Sequence, residues 1–220
     1  MSKLHIDSIT KSYGSKTILK NIYLSCETGK IVALLGGIGS GKSTLLQIIF
    51  GTMKGDSQFI KFNNEVFTKQ SDRKNKIAYL PQTLMFPKDI KIKNLISLFC
   101  NEANAQKLFN SDLIQPLLSR TTRNLSGGER RMVEVLVIIH SEADFILLEE
   151  PYTGLSPILT EKIMKIIKEL SQEKGFIISD FNVEEAIKIS DEIYLLSDAY
   201  LKQIKDLKEL KRDYYLPKNI

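Results

Sequence analysis

Two stretches of the chain carry residue types at spacings suited to chemistry. The first, Gly36-Gly37-Ile38-Gly39-Ser40-Gly41-Lys42-Ser43-Thr44, fits the pattern G-x-x-x-x-G-K-[ST]. Its glycines let the backbone turn tightly, so that successive N–H groups point at phosphate oxygens. A helix starting near Lys42 adds its partly positive N-terminal end. Lys42 is then placed to bridge β- and γ-phosphates, and the Ser43 hydroxyl to ligate Mg²⁺. The second stretch, Phe145-Ile146-Leu147-Leu148-Glu149-Glu150-Pro151, is an apolar run ending in two carboxylates. Ligands of an open α/β sheet bind at the carboxyl ends of its strands. Glu149 is expected to hold Mg²⁺ there, and Glu150 to polarise the water that attacks a γ-phosphate. Each stretch alone has a plainer reading, a Gly-rich turn before an ordinary helix and a solvated acidic turn.

The elements around these residues favour the chemical reading. Ile31–Leu35 runs straight into the glycine loop, and Lys42–Phe50 follows it with helical character. Phe145–Leu148, Phe176–Ile178 and Ile193–Leu196 are further short apolar runs, as expected of parallel strands covered on both faces. Between them Ile163, Ile166, Ile167 and Leu170 recur at helical spacing, with Lys162, Lys165, Lys168 and Glu169 mostly opposite. Strands alternating with helices predict an α/β parallel-sheet core. The first 25 residues and residues 57–68 are short, turn-rich and β-leaning, which suggests a small antiparallel sheet. Residues 92–120 read as helical, and residues 201–220 as a terminal helix with a frayed tail.

Composition narrows the classes. The 220 residues are 43% hydrophobic and 26% charged, with net charge +5, which excludes collagen-like, disulfide-framework and disordered chains. Cys26 and Cys100 match no metal spacing and fit a reducing compartment. With only His5 and His140 present, a site needing several histidines is not expected. The N-terminus lacks an apolar signal core. The longest apolar runs, such as Val135–Ile139, hold five residues, far below the ~20 that span a bilayer. The basic balance is too modest to argue for nucleic acid, and none is expected as a partner.

Between the two phosphate-site stretches stands Leu125-Ser126-Gly127-Gly128-Glu129, followed by Arg130, Arg131 and Glu134. This resembles the signature of the ATP-binding cassette (ABC) ATPases, and the resemblance covers nearly the whole chain. It implies a P-loop NTPase fold: a RecA-like parallel core, an N-terminal antiparallel β subdomain, and a small helical subdomain over approximately 84–140. Residues 1–220 would form a single nucleotide-binding domain, with a tail over approximately 201–220 and neither a second cassette nor a fused membrane domain. The resemblance further implies that Tyr13, in Lys11-Ser12-Tyr13-Gly14, stacks on adenine. Gln82, in Tyr79-Leu80-Pro81-Gln82, would reach Mg²⁺ and move with a membrane partner. Thr153-Gly154-Leu155-Ser156-Pro157 would be a dimer-contact loop. Two cassettes would pair head to tail, each capping with Leu125–Glu129 the ATP on the other's phosphate loop. There the Ser126 hydroxyl, the Gly127 and Gly128 N–H groups and a helix N-terminus make an anion site.

The sequence departs from the family pattern at named positions. Glu149 stands where an Asp is expected and is longer by one C–C bond, ~1.5 Å, which would loosen the Mg²⁺ site. Phe181, in Ser179-Asp180-Phe181-Asn182-Val183, stands where a switch histidine would hydrogen-bond the γ-phosphate. The missing interaction is worth about 1–3 kcal/mol. Ser156 replaces the dimer-loop Asp, and Ile38 replaces a polar residue where the phosphate contacts are backbone. ATP binding is expected to survive and hydrolysis to be slow. The expected function is an ATP-binding subunit energising transport through separate membrane permease subunits, cytoplasmic and peripheral at the membrane's cytoplasmic face. Residues Thr83–Asn94 either face that partner or pack in the core. The alternative is a catalytically degenerate ATP-binding regulatory partner in a heterodimer with a competent cassette.

Overall fold

The computed structural model describes residues 1–206, 208 and 210. Its centre is a six-stranded sheet of β3 (Ile31–Leu35), β6 (Ile77–Leu80), β7 (Phe145–Glu149), β8 (Gly175–Ser179), β9 (Glu192–Ser197) and β10 (Tyr200–Ile204). The strand order is β10-β9-β3-β8-β7-β6. All neighbours are parallel except the β9–β10 hairpin. Every residue of β3, β7 and β8 is buried, so these strands need apolar side chains on both faces.

Strand alternation sorts those side chains into two cores. Ile146 and Leu148 of β7 join a cluster with helices α4 (Gly127–Ile139) and α5 (Pro157–Leu170). Phe145 and Leu147 face the other way, toward α1 (Lys42–Phe50) and a second sheet. That sheet is antiparallel, ordered β2-β1-β4-β5, from β1 (Lys3–Tyr13), β2 (Lys16–Glu27), β4 (Ser57–Phe62) and β5 (Glu65–Val66). It matches the expected antiparallel addition, but its first two strands are long, at 11 and 12 residues. Helix α2 (Ile92–Phe99) packs on α4 and on α3 (Glu102–Phe109), and α6 (Val183–Ile189) lies against β3.

Two expectations need correction. Strand β6 escaped the sequence reading because four residues followed by Pro81 give too short an apolar run. The terminal helix does not start at 201, because Tyr200–Ile204 pairs antiparallel with β9. Asp198 and Ala199 turn the hairpin with φ of 50 and 69, the double left-handed turn that matches strand twist. Without the usual Asn-Gly or Asp-Gly this turn has no sequence signal. Lys208 and Leu210 are helical, while residues 207, 209 and 211–220 of the expected tail lie outside the described residues. Both cysteines are free thiols.

Close packing between β7 and β8 yields a stability test. A Cβ on Gly175 would lie 2.5 Å from the Phe145 ring and 3.0 Å from Cys26 Sγ. Phe145 is fully buried and cannot move aside. Gly175→Ala is expected to destabilise the chain by about 1–3 kcal/mol, the range for overpacking, read as a lower urea midpoint at unchanged slope.

Candidate functional site

The carboxyl ends of β3, β7 and β8 open on a crevice of about 300 Å³. Tyr13, Ile18, Ile38, Gly39, Ser40, Gly41, Lys42, Ser43, Thr44, Gln82, Glu149, Glu150, Ser179 and Phe181 line it. The chain thus brings the glycine loop and both strand-end carboxylates to one place. The loop leaves β3 and enters α1 through Gly41, whose φ is 108 and whose missing Cβ would meet Ile18 at 2.7 Å. Only glycine fits there. No side chain caps the start of α1, so its N–H groups are left for an anion. The Ser40 hydroxyl is likewise buried without a partner. Lys42 Nζ donates to the Gly36 and Gly37 carbonyls at 2.6 and 3.0 Å. Burial lowers its pKa, opposed by Glu150 and Glu149. Gly36 and Gly37 belong to the same loop without lining the crevice, and Ile38 is 89% exposed, which leaves the loop's backbone unobstructed.

Opposite the loop, Glu149 is 4% exposed and Glu150 7%. Glu149 Oε1 accepts from the Ser43 hydroxyl. Its Oε2 accepts from Tyr79 Oη at 2.6 Å and from the Gln82 N–H at 3.3 Å. Glu150 has φ of 48, a left-handed backbone that costs a non-glycine residue of order 1–3 kcal/mol. Two sets of bonds hold it. Its N–H donates to Ser179 O at 2.6 Å, and its carbonyl accepts from Arg131 Nη2 at 3.1 Å and Nε at 3.3 Å. Arg131 also donates to the carbonyls of Pro81 at 2.9 Å and of Glu149, and pairs with Glu134 at 3.4 Å. Arg131 and Tyr79 are the functional residues that sequence reading left without a role. Arg131 is one of three charged residues, with Arg130 and Glu134, that α4 buries, and nothing in their sequence sets it apart.

Phe181 sits over Lys42, with Nζ 5.6 Å from the ring centroid, and contributes no polar atom. The preceding Asp180 is pushed up to about 6 by burial, and its Oδ2 has no partner. Tyr13 is half exposed at the crevice edge. The two histidines lie elsewhere: His5 packs on Tyr23 and Phe59, and His140 caps the end of α4. Leu125, Ser126, Gly127, Gly128 and Glu129 do not line the crevice. Ser126 and Glu129 form a reciprocal cap at the start of α4. Gly128 abuts Gly154, whose carbonyl would be 2.7 Å from an added Cβ, so the signature and the dimer-loop segment touch. Ser156 caps α5 by accepting from the Leu159 N–H at 3.4 Å, a role its hydroxyl fills without a charge. Within Thr83–Asn94, Phe86 is core and Leu84 is 57% exposed. Among the described residues no cluster of three or more His, Cys, Asp or Glu could hold a metal. The oxygen donors that the crevice offers a hard cation are the Ser43 hydroxyl, Glu149 and Gln82.

The sequence profile described as "ABC transporter" matches residues 19–153, and the chain belongs to that family. It is an ATP-binding subunit and an ATPase that energises transport through membrane subunits. It is 28% identical over 215 residues to the lipopolysaccharide export system ATP-binding protein LptB of Escherichia coli, covering 91% of this chain and 89% of that one. It is 30% identical to the phosphonates import ATP-binding protein PhnC of Fusobacterium nucleatum, covering 96% and 95%. The dimeric structure of a bacterial ABC transporter cassette superposes with a TM-score of 0.79 at 21% identity, covering 92% of this chain and 99% of that one. This last likeness shows the fold.

Arg131 gives the test of how the crevice is built. It is 5% exposed and Glu134 is fully buried. Arg131→Met strands the buried carbonyls of Pro81, Glu149 and Glu150, each unsatisfied acceptor costing about 1–3 kcal/mol, and leaves Glu134 paired with Arg130 alone, at 3.6 Å. Arg131→Met is expected to cost about 3–5 kcal/mol in urea unfolding. Adding Glu134→Leu should deepen that loss, because the buried Arg130 and the Met85 N–H then lose their partner.

Proposed function

We propose that the crevice binds ATP with Mg²⁺ and hydrolyses it slowly, with the product state releasing a head-to-tail pair of cassettes. The convergence of Lys42, Ser43, Glu149 and Glu150 on one crevice carries this reading. Tyr13 stacks on the adenine. The N–H groups of Gly36–Thr44 cradle the phosphates, and Lys42 exchanges its carbonyl partners for phosphate oxygens. Ser43, Gln82 and Glu149 would hold Mg²⁺, whose charge would offset that of the phosphates. Glu150, fixed in its left-handed conformation, accepts a proton from the water as that oxygen attacks the γ-phosphorus and the bond to ADP breaks.

The signature acts in trans. Leu125–Glu129 lie off their own crevice, and the half-exposed start of α4 offers the Ser126 hydroxyl and the Gly127 and Gly128 N–H groups to a ligand on a second cassette. Ser156 lies in the segment facing that partner. The second cassette is either another copy or a homologue. No helix among the described residues is long and apolar enough to cross a membrane. The likeness to the ATP-binding proteins of a lipopolysaccharide export and a phosphonates import system supports a separate permease chain, with this subunit at the membrane's cytoplasmic face. A groove of about 650 Å³ between Gln70–Tyr79 and α2, with Met85, Leu98 and Phe99 on its wall, suits an apolar element of that permease.

Slow turnover follows from Phe181. Its ring lies where a γ-phosphate donor belongs and can supply no hydrogen bond. Phe181→His is expected to raise kcat about tenfold to a hundredfold, the rate equivalent of a hydrogen bond to a charged group. Glu150→Gln should reduce turnover to background while ATP still binds. Phosphate-release assays read both. Wild-type turnover in the ordinary range that Phe181→His leaves unchanged would contradict the assignment.

A further inference from the structure

Tyr79 has no part in the scheme above, yet from outside the crevice lining its hydroxyl reaches the carboxylate of Glu149. Its ring is 7% exposed and packs against Phe50 with centroids 5.4 Å apart. The β6–β7 register sets Tyr79 beside Leu147, and Glu149, two residues on, shares that face. The phenol therefore meets Glu149 Oε2 at 2.6 Å, and the Gln82 N–H meets the same oxygen at 3.3 Å. The other oxygen, Oε1, is the one that faces Ser43. The two oxygens of Glu149 are thus assigned to different tasks.

We propose that Tyr79 is a positioning residue that sets the cation preference of the crevice, by holding one oxygen of Glu149 so that only the other can ligate. This rests on the reading that the crevice takes a divalent cation with its nucleotide. Mg²⁺ requires a tight octahedron and accepts a carboxylate through one oxygen, whereas Ca²⁺ tolerates more ligands and bidentate carboxylates. A glutamate freed from the phenol can turn both oxygens to the cation, which favours Ca²⁺. The same tether explains how a longer acid serves where an aspartate is expected. A side chain shorter by ~1.5 Å would leave the phenol beyond hydrogen-bond reach.

The test measures cation binding. The full chain is saturated with a non-hydrolysable ATP analogue, Mn²⁺ is the probe read by electron paramagnetic resonance, and Mg²⁺ and Ca²⁺ compete for its place. Tyr79→Phe, which keeps the ring, is expected to lower the Mg²⁺-over-Ca²⁺ preference about tenfold, the scale of one hydrogen bond to a charged group. In a Glu149→Asp background, where the phenol has nothing to hold, Tyr79→Phe should change nothing. An unchanged preference in Tyr79→Phe, or an equal shift in both backgrounds, overturns the inference. Should Tyr79→Phe fail to fold, Tyr79→Met, which also lacks the hydroxyl, is read in both backgrounds against the same outcomes. If the wild-type chain holds no Mn²⁺ beyond that held by the analogue alone, the nucleotide-cation reading itself falls.

Discussion

The site depends on one buried guanidinium. Arg131, on α4, donates to the carbonyls of Pro81, Glu149 and Glu150. These three mark the ends of β6 and β7 and the residue proposed as base. Pro81 and Glu150 lie one residue past the ends of β6 and β7, and Glu149 is the last residue of β7. A single rigid fork of donors closes them together, and Glu134 balances the charge from within the same helix. Burial lowers the Arg131 pKa, opposed chiefly by Glu134. Without this clamp, the left-handed backbone of Glu150 would relax and its carboxylate would leave the crevice.

The clamp also ties three regions into one unit. Helix α4 begins with the Ser126–Glu129 cap and carries the signature at its exposed end. Arg131 sits one turn further, on the strand ends. Gly128 touches Gly154 in the segment that follows Glu150. A second cassette pressing on the signature would therefore push on the loops that hold Glu150. Coupling between dimer closure and the proposed base needs no longer path than two helical turns.

The sequence made the local parts of this site readable and hid the distant ones. The glycine loop, the two glutamates and the signature are contiguous runs whose spacing carries the chemistry, and the crevice gathers the loop and the glutamates. Strands β3, β7 and β8 were visible because burial on both faces demands unbroken apolar runs. Tyr79–Glu149 and Arg131–Pro81 join residues 70 and 50 positions apart, and no periodicity marks them. β6 is too short for a pattern, and the Asp198-Ala199 turn lacks glycine. The Phe181 departure was legible, but its position over Lys42 was not, because that depends on how β8 ends beside β3.

The most direct measurement is a calorimetric titration of the chain with ATP in the presence of Mg²⁺, repeated on Lys42→Ala. A crevice built as described predicts saturable binding of one nucleotide per chain at submillimolar ATP in the wild type, lost in the variant. Absence of saturable binding at millimolar ATP, or binding that survives unchanged in Lys42→Ala, would contradict it.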